Sequence, residues 1–112
     1  MWESIVNAFK SFLQRVKNFF RKIINGILNF FRDVVSYFRG LRLRQGTDIP
    51  WFAKRDEFKE MLHNAPVKNV GIFTGVYNEE TDEIENVQEI QADALDEKTK
   101  EILGNEKLVV LS

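Results

Sequence analysis

The sequence predicts an α+β protein: a long N-terminal amphipathic helix followed by a small α-β-β-α-β body. Three observations lead there. Residues 2–41 repeat an apolar pattern every eleven residues. Glycine, proline and a change of charge sign gather at residues 40–50. Beyond them, short apolar runs alternate with polar turns and capping residues.

The repeat is clearest when three segments, starting at Phe9, Phe20 and Phe31, are placed in register. Phe9, Phe20 and Phe31 then share a column, as do Phe12, Ile23 and Val34. Leu13, Ile24 and Val35 form a third column, and Val16, Ile27 and Phe38 a fourth. Trp2 and Ile5 extend the frame towards the N-terminus. Eleven residues in three turns is about 3.67 per turn, close to the relaxed α-helix. The apolar columns then cover roughly half the helix circumference at about 100° per residue. Lys10, Lys17, Arg21 and Arg39 border this stripe on one side, and Arg15 and Lys22 on the other. Asparagine and serine fill the middle of the polar face. Asn25-Gly26 could end a helix and make a hairpin. The apolar phase runs through that point unbroken, so a single helix over residues 1–40 is the expectation. Glycine inside it costs about 1 kcal/mol relative to alanine.

Such a helix would be about 55 Å long. The remaining chain would form a body about 28 Å across, given a radius of gyration of about 11 Å. The body could not cover the whole stripe, so an outside surface is expected to do so.

Gly40 reads as the helix C-cap and residues 41–50 as a linker. Residues 51–112 form the expected acidic domain. Residues 55–64 read as a short helix stopped by Pro66. Residues 67–77 read as a strand, with Gly71 and Gly75 on one face suggesting a bulge or close packing. Residues 78–83 make a polar turn, and residues 84–91 the returning strand. Asp93 or Asp96 starts a helix that stops at Gly104. The KLVVLS segment closes the body as a strand, parallel to its second strand through a right-handed crossover.

Charge divides the chain. Residues 1–45 hold nine basic and two acidic residues, a balance of +7. The remainder holds seven basic and fifteen acidic residues, a balance of −8. Two surfaces with different partners are the natural reading, with a protein partner of unidentified kind for the acidic domain. There is no cysteine, which leaves no disulfide framework or zinc-thiolate site and fits a reducing compartment. No stretch approaches the roughly 18 apolar residues of a membrane span, and the N-terminus does not read as a signal peptide.

Chemistry-bearing motifs are sparse. His63 is the only histidine, with no cysteine or second histidine to make a metal site. The acidic run Glu79, Glu80, Asp82, Glu83, Glu85 and Glu89 lacks the spacing of a calcium loop and reads as a solvated turn. Gly71 and Gly75 are followed by no phosphate-binding lysine. No cofactor is expected, and the chain reads as a non-enzyme.

The period and layout of residues 1–41 resemble the lipid-surface helices of exchangeable apolipoproteins and synucleins. Their eleven-residue spacing is also similar to hendecad bundles, including those of pilot-type proteins of small phages. The first resemblance implies a membrane surface and the second implies self-assembly. A stripe half a circumference wide suits a helix with several neighbours better than a two-stranded seam. The expected function is therefore non-enzymatic assembly or anchoring, with the helix mediating homo-oligomerisation, in a setting such as a virion or mobile-element accessory protein. An anionic membrane surface bound by the basic-bordered helix is the alternative. Nucleic acid held by the basic arm is third, because the aromatics are not interleaved with the bases. The expected location is cytoplasmic or assembly-associated, with a peripheral membrane position under the lipid reading.

Overall fold

Trp2–Arg15 forms helix α1, in which Ile5, Phe9 and Leu13 recur every four residues and are buried. Such spacing lines one helix face, and that face needs a partner surface. A computed structural model of the protein describes residues 2–111; Met1 and Ser112, the last residue of the expected final strand, lie outside them. Asn18, a weak helix former, lies in the non-helical stretch that follows.

Residues 20–28 do not continue the helix. Phe20–Leu28 is strand β1, paired parallel to β4 (Glu83–Leu95). The single helix over residues 1–40 is thus replaced by a helix, a strand and a second helical segment. Local composition favours this outcome, since Phe20, Ile23, Ile24 and Ile27 are aromatic or β-branched. Gly26 takes φ of +140°, which an L side chain rarely adopts. The register with β4 slips between Ile24 and Ile27, so Asn25-Gly26 forms a bulge.

A π-helical turn follows at Phe30–Val35 and runs into α2 (Ser36–Arg39), with Gly40 at its end. The Asn29 side chain caps it by accepting from the Arg32 N–H at 2.9 Å. Strand β2 covers Asp48–Lys54 and so takes in the end of the expected 41–50 linker. A 3-10 segment, Arg55–Met61, stands where a short helix was expected. Then come β3 (Val70–Asn78), β4, α3 (Glu97–Leu103) and β5 (Leu108–Val110). Asp96 caps α3 by accepting from the Thr99 N–H at 3.0 Å, and Gly104 ends it.

The five strands form one sheet in the order β1-β4-β3-β2-β5. β4 and β3 are antiparallel, as are β3 and β2, and β2 and β5. The final strand therefore lies against β2 and not parallel to β4. Its place beside β2 was hidden because residues 48–50 read as linker.

The sheet carries helical segments on both faces. Trp51, Ala53, Phe73 and Tyr77 meet α1 and Phe58 of the 3-10 segment on one side. Phe52, Ile72, Val76, Ile90 and Ala92 meet Phe30, Val34, Phe38 and Leu103 on the other. The alternation along β2 and β3 follows the two-residue strand period. Phe9 is the centre of the first layer, its ring 4.7 Å from Trp51, 4.9 Å from Phe58 and 5.0 Å from Phe73. Residues 2–40 are therefore not an arm beside a separate domain, because α1 supplies Ile5, Phe9 and Leu13 to one core and residues 28–38 supply Leu28, Phe30, Val34 and Phe38 to the other. The radius of gyration is 13.1 Å. A single compact chain of this length should have about 13 Å.

Gly71 and Gly75 serve close packing. A Cβ on Gly75 would lie 2.5 Å from Trp51 Cζ2, and one on Gly71 would lie 2.8 Å from Arg55 Cδ. The Trp51 ring is enclosed, whereas the Arg55 stem can shift. We predict that Gly75→Ala lowers stability by about 1–3 kcal/mol through overpacking. Urea unfolding checks this, and an unchanged midpoint would contradict the assigned packing.

Candidate functional site

β1 is an outer strand of the sheet, and four large apolar side chains on or beside it face water. Phe20 is 65% exposed, Ile23 42%, Ile27 59% and Phe31 60%. Trp2, at 44%, and Val67, at 62%, are the other large apolar side chains with such exposure among the described residues. Phe20, Ile23 and Ile27 lie on β1, with Phe20 and Ile23 on opposite faces of the strand, and Phe31 lies in the turn after it. The strand also presents the unpaired backbone groups of a sheet edge.

Charged side chains hold this edge in place. Glu89 of β4 is 1% exposed. Its carboxylate accepts from Arg21 Nε at 3.1 Å, from Arg55 Nε at 2.5 Å and from Gln91 Nε2 at 2.7 Å. Arg55 Nη2 also donates to the Asn64 carbonyl at 2.7 Å. Gln91 Oε1 accepts from the Val67 N–H at 2.8 Å. The network joins β1, β4, the 3-10 segment and the loop before β3. Gly71 leaves the space that the Arg55 stem occupies. A cavity of about 10 Å³ lies beside this network, bordered by Arg21, Arg55, His63 and Glu89. That is room for about one water molecule.

On the other side of β1 the buried acid is Asp33. It accepts from the Asn29 N–H at 2.8 Å, from Arg32 Nη2 at 2.9 Å and from Lys22 Nζ at 3.2 Å. Burial pushes its carboxyl up, but Arg32, the Asn29 N–H and Lys22 together outweigh that and hold it below the usual carboxylate range. Arg32 Nη2 also donates to the Ile27 carbonyl at 2.7 Å, closing the turn after the strand. Asp96 accepts from the Phe30 N–H at 3.0 Å, and the Asp96 N–H donates to the Leu28 carbonyl at 3.0 Å. The end of β1 is thereby tied to the start of α3.

The expected association face is divided among several environments. Ile5, Phe9 and Leu13 are buried under α1, with Phe12 and Val16 half-buried beside them. Val34 and Phe38 are buried on the opposite sheet face, with Ile24 and Val35 half-buried. Only Trp2, Phe20, Ile23, Ile27 and Phe31 remain largely in water. The stripe is not one surface because the helix that would have made it one does not exist. The basic border is divided too. Arg21 and Lys22 are bound to Glu89 and Asp33, whereas Arg15, Lys17 and Arg39 are exposed and Lys10 is half-buried. Arg15 and Lys17 stand just before β1, and Arg32 just after it, so the edge keeps a basic surround.

Sequence reasoning missed the roles of Arg55, Glu89, Gln91 and Asp33; Glu89 was expected in a solvated turn and is instead buried in β4. A signal for the first three existed: Glu89 and Gln91 alternate with Ile90 and Ala92, which places polar side chains on one face of a central strand. Asp33 is one of only two acids in residues 1–45. His63 is exposed. Among the described residues, no group of three or more histidine or acidic side chains is placed to hold a metal ion. No helix there is long and apolar enough to cross a membrane. No family model matches the chain, and comparisons with curated proteins and with solved structures likewise find no match.

Removing one partner from a buried ion pair leaves the other charge uncompensated. Glu89→Gln is accordingly expected to lower stability by about 3–5 kcal/mol. Thermal and urea unfolding measure this; a change below about 1 kcal/mol would mean that the arginines find equal partners elsewhere.

Proposed function

We propose that this chain is a non-enzymatic assembly protein that associates with copies of itself through the β1 edge. The observation that carries the reading is the exposure of Phe20, Ile23 and Ile27 on an outer strand and of Phe31 in the turn after it. Each large apolar side chain withdrawn from water contributes roughly 1.5–3 kcal/mol. Backbone pairing along the edge would add direction and register to that apolar contact.

The membrane alternative has less to stand on. An interfacial helix inserts its apolar face into lipid, but in α1 that face holds Ile5, Phe9 and Leu13 in the protein core. The nucleic-acid alternative needs free bases, and Arg21, Lys22 and Arg32 already bind acids within the fold. A virion or mobile-element setting belongs to this proposal as one place where a small assembly protein would serve.

The test is mass in solution, with and without anionic liposomes, for the native chain and for Phe20→Asp/Phe31→Asp. Both positions are exposed, so the variant should keep its fold. Association of the native chain should weaken by at least roughly a hundredfold, from two lost apolar contacts and two desolvated charges. A native chain that stays monomeric and floats only with the liposomes would overturn the proposal in favour of lipid.

A further inference from the structure

The two ends of the sheet differ, and the difference says what β1 meets. At the end opposite β1, strand β5 pairs with residues 51–53 of β2 and the Leu111 N–H donates to the Pro50 carbonyl, which leaves a gap beside Asp48 and Ile49 among the described residues. Beside that gap lies an open groove of about 760 Å³. Phe38, Leu43, Ile49, Pro50, Val110 and Leu111 are among its apolar walls. Its volume is in the range that ordinarily holds large apolar groups. Its charged residues are Asp48, Glu79 and Arg39; Asp48 is paired with Arg44 at 2.9 Å, and Glu80 follows Glu79 on the same exposed turn.

We propose that self-association is head-to-tail: the β1 edge of one copy docks in the groove beside β5 of the next. This rests on the self-association reading above and specifies its geometry. Charge is the first argument. Arg15 and Lys17 stand exposed just before the β1 edge, and Glu79 and Glu80 are exposed at the groove. Strand sense is the second argument. β1, β4 and β2 run one way, and β3 and β5 the other. A copy placed next in line therefore presents its β1 antiparallel to β5, so the sheet continues without reversal. Shape is the third: protruding Phe20, Ile23, Ile27 and Phe31 at one end, an apolar hollow at the other. A contact between unlike surfaces does not close on itself at two copies; it makes a ring or an open chain.

Mixing distinguishes this from a symmetric dimer. The edge variant is Phe20→Asp/Phe31→Asp, and the groove variant is Leu43→Asp, at a half-buried position in the loop before β2. Each keeps one intact surface. Analytical ultracentrifugation of the native chain should give species that grow with concentration beyond two copies. Each variant alone should be monomeric, and an equal mixture should form a dimer and stop there. Circular dichroism and a thermal melt establish that both variants are folded. Glu79→Lys, on an exposed turn, is a second groove variant that leaves the core alone. It should weaken assembly roughly two- to fivefold, the worth of one exposed ion pair. A native chain that stops at two copies, with a folded Leu43→Asp variant that dimerises by itself, would overturn the head-to-tail geometry and leave self-association standing. A native chain that is monomeric at every concentration would overturn both.

Discussion

The buried carboxylate of Glu89 holds the fold together at its least secure point. β1 is an outer strand with one neighbour, and its far side is open. Apart from Arg21 reaching Glu89, backbone bonds, the buried Leu28 and half-buried side chains hold it to the sheet. The same carboxylate binds Arg55, which fixes the 3-10 segment and, through Asn64, the loop ahead of β3. A buried ion pair is not by itself a large source of stability, since desolvation offsets much of the attraction. Its value here is placement. The charges satisfy one another only when β1 lies in one register, with Arg21 opposite Glu89. On the other side of the strand, Lys22 and Arg32 meeting Asp33 add a second such condition.

This explains why the eleven-residue repeat does not become a continuous helix. Phe9, Phe20 and Phe31 share a column in the sequence, yet Phe9 is wholly buried while Phe20 and Phe31 are mostly in water. Helical periodicity describes how side chains would be distributed if the chain were helical. It does not weigh that helix against alternatives. A continuous helix would leave much of its apolar stripe uncovered. Folding the chain back twice, at residues 16–19 and around Asn29, instead sends Ile5, Phe9 and Leu13 to one face of the sheet and Phe30, Val34 and Phe38 to the other. Burying both sets outweighs the regularity of the helix, and the bulge at Asn25-Gly26 is where the repeat gives way.

The body was legible where local chemistry decides structure. Asp96 and Gly104 delimit α3 because a side-chain acceptor and a glycine suit those positions. The turn at residues 78–83 follows from its polar composition. Gly71 and Gly75 pointed to close packing, and Arg55 and Trp51 are what they pack against. Long-range pairing was not legible. β2 contains Pro50 and follows two glycines, so its start reads as linker, yet it is a central strand. The neighbours of β5 and the parallel pairing of β1 depend on contacts between residues far apart in sequence. At the candidate surface, the residue types were visible and the surface was not. Phe20, Ile23, Ile27 and Phe31 were among the candidates, but only tertiary structure separates them from the ten that are wholly or partly withdrawn from water or stand apart from the strand.

An apolar edge at one end of the sheet and an apolar groove at the other give the molecule a direction. That direction exists only if residues 20–28 are a strand beside β4. Nuclear magnetic resonance of the native chain tests this most directly. Chemical shifts of residues 20–24 should be those of extended backbone, with through-space contacts between their backbone protons and those of residues 88–92. Helical shifts and consecutive amide-to-amide contacts running unbroken from residue 16 to residue 28 would contradict the account.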